Sequence, residues 1–201
     1  MFNLEQGKKL VQIARNSVEK FFEKGRLRIK KVEDEEFTQK LGVFVTIETW
    51  PTESLRGCIG FPYPEYPLYE AVQRAAVDAA FNDPRFPPLG KNELNNVTFE
   101  ISILSTPKEI KIRKPLEILE KLEPFKDGVI LEVGWRKALF LPQVWKQLPN
   151  KEDFLSNLCM KAGLPPDCWM DEKTKFYSFR VQAFKEVKPY GEVVEVKLSQ
   201  T

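Results

Sequence analysis

The chain has 201 residues, 42% of them hydrophobic and 12% aromatic, so it can fold around one substantial core, or two small ones, without disulfide or metal support. Its 31 basic and 29 acidic residues nearly balance, which argues against binding to nucleic acid or an anionic membrane through a large positive excess, although a local basic patch stays open. Lysine and glutamate dominate the charged set, a composition typical of proteins from hot environments.

The absence of histidine excludes Cys-His and Ser-His catalysis within the chain and removes the commonest metal ligand. Cys58, Cys159 and Cys168 lack C-x-x-C spacing and are odd in number, so we predict neither a zinc site nor a disulfide framework, and no cofactor is indicated. Reduced cysteines are the expectation.

No leader pattern follows Met1 and no apolar run approaches about 18 residues, so we expect a soluble, cytoplasmic protein without a membrane segment.

The first third of the chain predicts a helix followed by a hairpin. Apolar residues recur at helical spacing over residues 3–24, with Asn3 as the cap and Gly25 as the end. Residues 42–49 then alternate apolar and polar side chains, and a second strand begins at Ser54.

The rest of the chain is a mixture of predicted helices and strands without a regular order. The patterns predict, in order, a helix over 67–81, a strand over 96–106, a helix over 115–122, a hairpin over 128–132 and 138–141, helices over 142–147 and 150–161, a long strand over 176–187 and a last strand over 192–198. Strands and helices do not alternate as in a parallel sheet, so the predicted class is α+β, an antiparallel sheet with flanking helices. Cys159 lies on the inner stripe of its helix and is predicted to be core.

The stretch Leu55-Arg56-Gly57-Cys58-Ile59-Gly60 sets a thiol and a guanidinium between glycines. In an extended strand Arg56 and Cys58 point the same way, and a cation beside a thiol favours the thiolate. The glycines allow a ligand or a second backbone to approach closely, so Arg56, Gly57 and Gly60 are candidate substrate-binding residues and Cys58 a candidate catalytic residue. The alternative is that Cys58 is a small buried residue and the glycines mark a bend.

A second candidate segment is Asp83-Pro84-Arg85-Phe86-Pro87-Pro88, which the prolines make a stiff extended loop. Arg85 is a candidate binder of a substrate anion and Asp83 a candidate proton carrier; alternatively, Asp83 is a helix-end group and Arg85 its surface partner. Glu100, on the polar face of the strand over 96–106, is either a proton acceptor or an ordinary solvated glutamate.

These two segments, with Leu141-Pro142-Gln143-Val144 and the run from Leu158 to Leu164, resemble the AMMECR domain family over essentially the whole chain. The resemblance implies one domain over 1–201, in an α+β fold of two unequal, intimately packed lobes with a cleft near the six-residue motif. It also implies protein partners of the Memo type or the radical-SAM type, because relatives of the family occur fused to or beside such domains.

Two classes of function follow. In the first, the protein is an enzyme that uses Cys58 for acyl or group transfer or other thiol chemistry on an anionic small molecule, with Asp83 or Glu100 handling a proton. In the second, it is a non-catalytic binding or scaffold module for a small molecule, a peptide, or a Memo-type or radical-SAM-type partner, and Cys58 only packs. The accessibility of the Cys58 thiol separates the two.

Overall fold

The computed structural model describes residues 1–196, which form four α-helices, nine strands and short 3-10 turns. The elements, in chain order, are α1 (Leu4–Lys24), β1 (Gly42–Thr49), β2 (Ser54–Phe61), α2 (Leu68–Phe81), β3 (Val97–Leu104), β4 (Lys108–Glu109), α3 (Glu117–Lys121), β5 (Gly128–Val133), β6 (Arg136–Phe140), α4 (Lys151–Lys161), β7 (Lys175–Phe179), β8 (Val181–Glu186) and β9 (Val193–Val196). The strands form a five-stranded sheet in the order β2-β1-β3-β8-β9 and a four-stranded sheet in the order β4-β7-β5-β6. The predicted α+β class with antiparallel sheets and flanking helices is confirmed.

The chain divides into two compact units of unequal length. The first contains Met1–Leu104 and the described residues from Gln182 onward, and the second contains Ser105–Val181. The predicted single domain and the predicted cleft stay predictions. Within residues 1–196, no helix has the length and apolar character needed to cross a membrane.

Helix α1 of the first unit begins and ends where its sequence predicts. Asn3 and Gln6 form a reciprocal capping box, in which the Asn3 side chain accepts from the Gln6 amide at 2.9 Å and the Gln6 side chain accepts from the Asn3 amide at 2.8 Å. Gly25 ends the helix in the left-handed conformation, at φ 64°.

The five-stranded sheet has one apolar and one polar face, which decides where polar side chains collect. On the apolar face, alternate residues of β1 and β3 form a core with α1 and α2; this set includes Val43, Val45, Ile47, Phe99, Ile101 and Ile103. The intervening residues lie on the other face, and they include Thr46, Glu48, Glu100 and Ser102.

The second unit is built around Trp145, which lies in a 3-10 turn over Pro142–Lys146. Its ring stacks on Phe154 of α4 with the ring centroids 3.6 Å apart, and its indole N–H donates to the Asp127 carbonyl at 2.7 Å. Both groups that a buried tryptophan presents, an apolar ring and a polar N–H, are therefore satisfied.

A disulfide joins Cys159 of α4 to Cys168, with the two Cα atoms 6.0 Å apart. The prediction of reduced cysteines without a disulfide is therefore wrong for this pair. Gly163, at φ 70°, turns the chain back after α4, and the Leu164 amide donates to the Cys159 carbonyl at 3.0 Å. Because the chain reverses here, residues nine positions apart meet. Cys159 is fully buried, as predicted.

The predicted long strand over 176–187 is wrong, because the segment forms two strands in different sheets. β7 belongs to the four-stranded sheet and β8 to the five-stranded sheet. Arg180 separates them, and its amide donates to the Ser105 side chain at 2.9 Å. The last predicted strand, over 192–198, is β9 where the structure describes it, and residues 197 and 198 lie outside the described range.

Candidate functional site

The Cys58 thiol lies on the polar face of the five-stranded sheet, in a row of three side chains. Strand β2 stands at one end of the sheet, with Cys58 opposite Thr46 of β1, and Thr46 in turn opposite Glu100 of β3. The Thr46 hydroxyl donates to the Cys58 sulfur at 3.2 Å. Cys58 as a whole residue is half-buried.

The two glycines of the motif accommodate protein atoms. A Cβ at Gly57 would collide with the carbonyl oxygen of Ala79 in α2, and one at Gly60 would collide with the Val43 carbonyl and the Phe44 ring. The sequence allowed either a ligand or a second backbone segment to approach these glycines closely, and at Gly57 the structure shows a second backbone segment, that of α2. The role of Gly57 and Gly60 as substrate-binding residues stays a prediction.

Asp83 joins the loop after α2 to strand β2. Asp83 is 3% exposed, and its carboxylate accepts from the Cys58 amide at 2.8 Å. The same carboxylate accepts from the Arg85 amide at 3.1 Å, from Arg85 Nε at 2.9 Å and from Arg85 Nη2 at 2.7 Å. Four N–H groups thus converge on one buried carboxylate, and the bond from the Arg85 side chain holds the pKa of Asp83 well below its usual range.

Arg85 completes the attachment, because its Nη2 also donates to the Cys58 carbonyl at 3.2 Å. The loop therefore bonds both backbone groups that Cys58 presents at the edge of the sheet, the amide through Asp83 and the carbonyl through Arg85. Such contacts protect an edge strand from pairing with another chain. We call this arrangement of Asp83, Arg85 and the Cys58 backbone the Asp83 latch. Arg85 still has a side chain that is 53% exposed.

Arg56 does not lie beside the thiol in the way that strict alternation predicts. The pairing of β2 with β1 shifts register between Ile47 and Glu48, so that Gly57 and Leu55 have partners and Arg56 falls in a bulge. The guanidinium instead donates to Glu93 through Nε at 2.8 Å and through Nη2 at 3.1 Å.

Glu93 is a residue of this region that the sequence did not point to. Besides the Arg56 guanidinium, which lowers its pKa, its carboxylate accepts from the Gly90 amide at 2.6 Å. Arg56 Nη1 also donates to the Pro87 carbonyl at 2.9 Å. Arg56 therefore holds the proline-rich loop in place. The sequence signal that could have identified Glu93 is its position three residues after Gly90. At that spacing a glutamate side chain can accept a hydrogen bond from the backbone amide at the start of a helical turn.

The electrostatics of the site oppose a resting thiolate. Burial raises the pKa of the Cys58 thiol, and this outweighs the hydrogen bond from Thr46 and the positive charge of Arg85, which lower it. The charges of Asp83 and Glu100 raise it further. The expectation that Arg56 favours the thiolate is therefore wrong on two counts: the cation that acts on the sulfur is Arg85, and the net effect is a neutral thiol.

Glu100 has the environment of a proton carrier. Burial raises the pKa of its carboxyl group, and the neighbouring charge of Glu48 raises it further, against a hydrogen bond from Ser102 at 3.2 Å. Lys185 of β8 lies 2.6 Å from the Glu48 carboxylate, so the adjacent cation is engaged by that residue. Glu100 consequently keeps its proton to a higher pH than an exposed glutamate does.

The row thus contains a neutral thiol, a hydroxyl and a carboxyl group with a raised pKa, in that order. Groups of this kind can pass a proton along the row and can form a bond through sulfur. In the described part of the chain, cysteine, aspartate and glutamate side chains form no cluster of three that could hold a metal ion.

Comparison with known proteins identifies the family. Residues 11–184 match the sequence model of the AMMECR1 family. The chain is 44% identical over 199 residues to Protein MJ0810 of Methanocaldococcus jannaschii, covering 98% of both chains, and 42% identical over 196 residues to a protein of Aquifex aeolicus, covering 95% of this chain and 98% of the other. The crystal structure of the uncharacterized protein PH0010 from Pyrococcus horikoshii superposes with a TM-score of 0.87 at 42% identity, covering 97% of this chain and 98% of that one. The match extends over more than half of the sequence and is closely paralleled in structure, so the chain belongs to the AMMECR1 family.

Proposed function

We propose that this protein is an enzyme that transfers an acyl group through Cys58, with Thr46 and Glu100 carrying the proton that the thiol gives up. The observation that carries the proposal is the row on the polar face of the sheet, where a thiol and a carboxyl group, both with raised pKa values, flank one hydroxyl. Several perturbed titratable groups in one place are characteristic of catalytic sites.

The chemistry follows from the protonation states. A neutral thiol attacks a carbonyl carbon only if its proton leaves. In the proposed step the Thr46 hydroxyl turns from donating to the sulfur to accepting the thiol proton, and it gives its own proton to the carboxylate of Glu100, its partner in the sheet register. The sulfur then forms a thioester, and the leaving group departs with a proton returned from Glu100. A nucleophilic acceptor next attacks the thioester carbonyl and gives its proton to Glu100, and the departing sulfur regains a proton through Thr46. The raised pKa of Glu100 suits this exchange, since a carboxylate that binds a proton more tightly is a stronger base.

Arg85 supports the assignment of an anionic substrate. Its guanidinium is positioned by Asp83 yet keeps about half of its side-chain surface exposed, whereas the side chain of Arg56 is only 12% exposed. A preorganised, exposed guanidinium close to the Cys58 carbonyl can hold a carboxylate or phosphate of the substrate.

p-Nitrophenyl acetate tests the proposal as a generic acyl donor. We expect the wild-type protein to release p-nitrophenolate and to carry an acetyl group on Cys58, detected in the corresponding peptide by mass spectrometry. Cys58→Ala abolishes the acetylated peptide, and Thr46→Val and Glu100→Gln slow acetylation at least about tenfold, the scale of a lost proton-transfer group. Glu65→Gln, at an exposed glutamate of the same unit, is the control and leaves the rate unchanged. Equal rates for the wild type and Cys58→Ala would refute the enzyme.

The second candidate function is a binding module that acts with a Memo-type or radical-SAM-type partner. The observation that favours it is the Asp83 latch, together with the Arg56–Glu93 pair, because these residues stabilise the loop and the strand rather than project from them. Iodoacetamide labelling of the native protein separates the two functions. A binding module predicts that Cys58 reacts only after denaturation, and that purified partner proteins bind Cys58→Ala as tightly as they bind the wild type.

A further inference from the structure

The segment after α1 encloses a cavity that the proposed enzyme does not use. Residues 26–34 run in extended, irregular form alongside α1, and between them lies a cavity of about 710 Å³. Its size falls within the range of small-molecule binding sites, roughly 300–1,000 Å³. α1 packs against the apolar face of the sheet, so this cavity is remote from the polar face that carries Cys58.

The segment is attached at two points and does not lie loose over the cavity. The buried Gln73 side chain of α2 accepts from the Lys30 amide at 2.8 Å and donates to the Lys30 carbonyl at 2.9 Å. Lys9 of α1 bonds the Asp34 carboxylate at 2.6 Å. These attachments hold the wall of the cavity in place before any ligand arrives, which lowers the entropy lost on binding.

The lining of the cavity is rich in cationic residues. Seven of its seventeen lining residues are lysine or arginine and two are acidic, although the whole chain is nearly neutral. One of the acidic residues, Asp34, is already paired with Lys9. The other six cations have no carboxylate of residues 1–196 within 4 Å; they are Lys20, Lys24, Arg26, Arg28, Lys30 and Lys31. Like charges gathered in this way repel one another, so an anion that binds among them is attracted by several at once.

Four aliphatic side chains also line the cavity. Ile13 and Val32 pack against the core of the unit, and Leu27 and Ile29 of the segment also line the space. All four are partly exposed. The seventeen lining residues include no phenylalanine, tyrosine or tryptophan, the side chains on which nucleobases stack, which argues against single-stranded nucleic acid as the occupant.

We propose that this cavity binds a small amphiphilic anion, with a phosphate or diphosphate head among the six cations and an aliphatic body against Leu27 and Ile29. Charge selects the head, because seven of the seventeen residues that line the space are lysine or arginine. Apolar burial selects the body, at about 25 cal/mol for each Å² removed from water. An anion without an aliphatic body would contact only the cations, and a neutral aliphatic molecule would contact only the apolar side chains.

Isothermal titration calorimetry of the full chain tests the proposal with farnesyl diphosphate as the probe. We expect one saturable site, with inorganic pyrophosphate and farnesol each binding at least about tenfold more weakly. Raising the salt concentration weakens the diphosphate interaction, since exposed charges are screened. Arg28→Glu/Lys31→Glu reduces the affinity at least about tenfold, and the matched pair Lys40→Glu/Lys91→Glu, exposed in the same unit, leaves it unchanged. Circular dichroism confirms that every variant is folded.

Leu27→Ser separates the two halves of the ligand. It weakens binding of farnesyl diphosphate and leaves pyrophosphate binding as it was, because only the aliphatic body contacts this position. Absence of saturable binding by the wild type would overturn the proposal, and so would an Arg28→Glu/Lys31→Glu variant that binds normally. Tighter binding to a single-stranded RNA, or to anionic lipid vesicles, than to the free diphosphate would equally overturn it. A variant at Cys58 leaves these affinities unchanged, so this outcome does not depend on the proposed enzyme.

Discussion

Replacing Asp83 with asparagine tests whether the Asp83 latch stabilises the edge of the five-stranded sheet. Asp83→Asn keeps the size and shape of the side chain and removes its charge. One of the two carboxylate oxygens becomes an NH₂ group, so a donor now faces the N–H groups whose hydrogen bonds this oxygen accepted. In either orientation of the amide, two of the four hydrogen bonds from Cys58 and Arg85 are lost.

The expected loss is about 3 kcal/mol in the free energy of unfolding at pH 7. A buried backbone N–H without an acceptor costs about 1–3 kcal/mol, and a hydrogen bond to a charged group contributes about 1.5–3 kcal/mol. Because about half of the Arg85 side chain is exposed, its guanidinium can donate to water instead, which reduces the loss expected for a hydrogen bond to a charged group. The Cys58 amide, freed from Asp83, should also exchange its hydrogen faster.

The pH dependence gives the reasoning a second check. The pKa of Asp83 is lowered in the folded protein from its ordinary value of 3.8, so the stabilisation is fully present above about pH 3.8 and is lost as the pH falls through the folded pKa. Urea unfolding of the wild type and Asp83→Asn should differ at pH 7 and converge in acid. Asp78→Asn removes a charge but keeps an oxygen that can accept the one hydrogen bond from the Asn82 side chain. It is the control and should lose under about 1 kcal/mol. A difference below about 1 kcal/mol for Asp83→Asn, or one that does not shrink in acid, would refute the latch.

Two further measurements test other parts of the molecule. Because the pKa of Glu100 is raised in the folded protein, its contribution to stability is fully present below its ordinary pKa of 4.5 and is lost as the pH rises through the folded pKa. In urea unfolding, Glu100→Gln should therefore be as stable as the wild type near pH 4 and more stable than the wild type at pH 8. Equal stabilities of the two proteins at both pH values would contradict the raised pKa. The disulfide closes a loop of about ten residues, so Cys159→Ser/Cys168→Ser should lose about 2–3 kcal/mol in the free energy of unfolding, and the wild type reduced with a phosphine should lose the same amount; no change on reduction would contradict the bond.

Local chemistry in the sequence predicted most elements of the fold. The capping pair Asn3 and Gln6 and the terminal Gly25 define α1 from interactions within a few residues, so they are visible in the sequence. Strand β1 was predicted with its observed bounds because one face is buried and the alternation is strict. The break at Arg180 was missed because the alternation continues across it; only the pairing of the two halves with different sheets shows it.

Long-range pairing decided what the sequence could not predict about the candidate site. The sequence named Cys58, Asp83 and Arg85 as candidate site residues, but the bond from the Cys58 amide to Asp83 joins residues 25 positions apart, and no periodicity encodes it. The bulge that turns Arg56 toward Glu93 is likewise a property of two strands in register rather than of one. The disulfide was missed for a simpler reason: the odd count of cysteines argued against pairing, although setting Cys58 aside in its motif leaves one pair.

The two proposed sites differ in how far the sequence alone reveals them. The row of Cys58, Thr46 and Glu100 is formed by side chains that alternation places on one face, so its members can be found strand by strand, and only their shared row needs the sheet register. The cationic cavity is invisible to a count of charges, because 31 basic residues offset 29 acidic ones over the whole chain. Local charge, not net charge, decides what a surface attracts over the roughly 10 Å that salt leaves unscreened. A nearly neutral protein can therefore hold an anion wherever its cations are gathered and its carboxylates lie elsewhere.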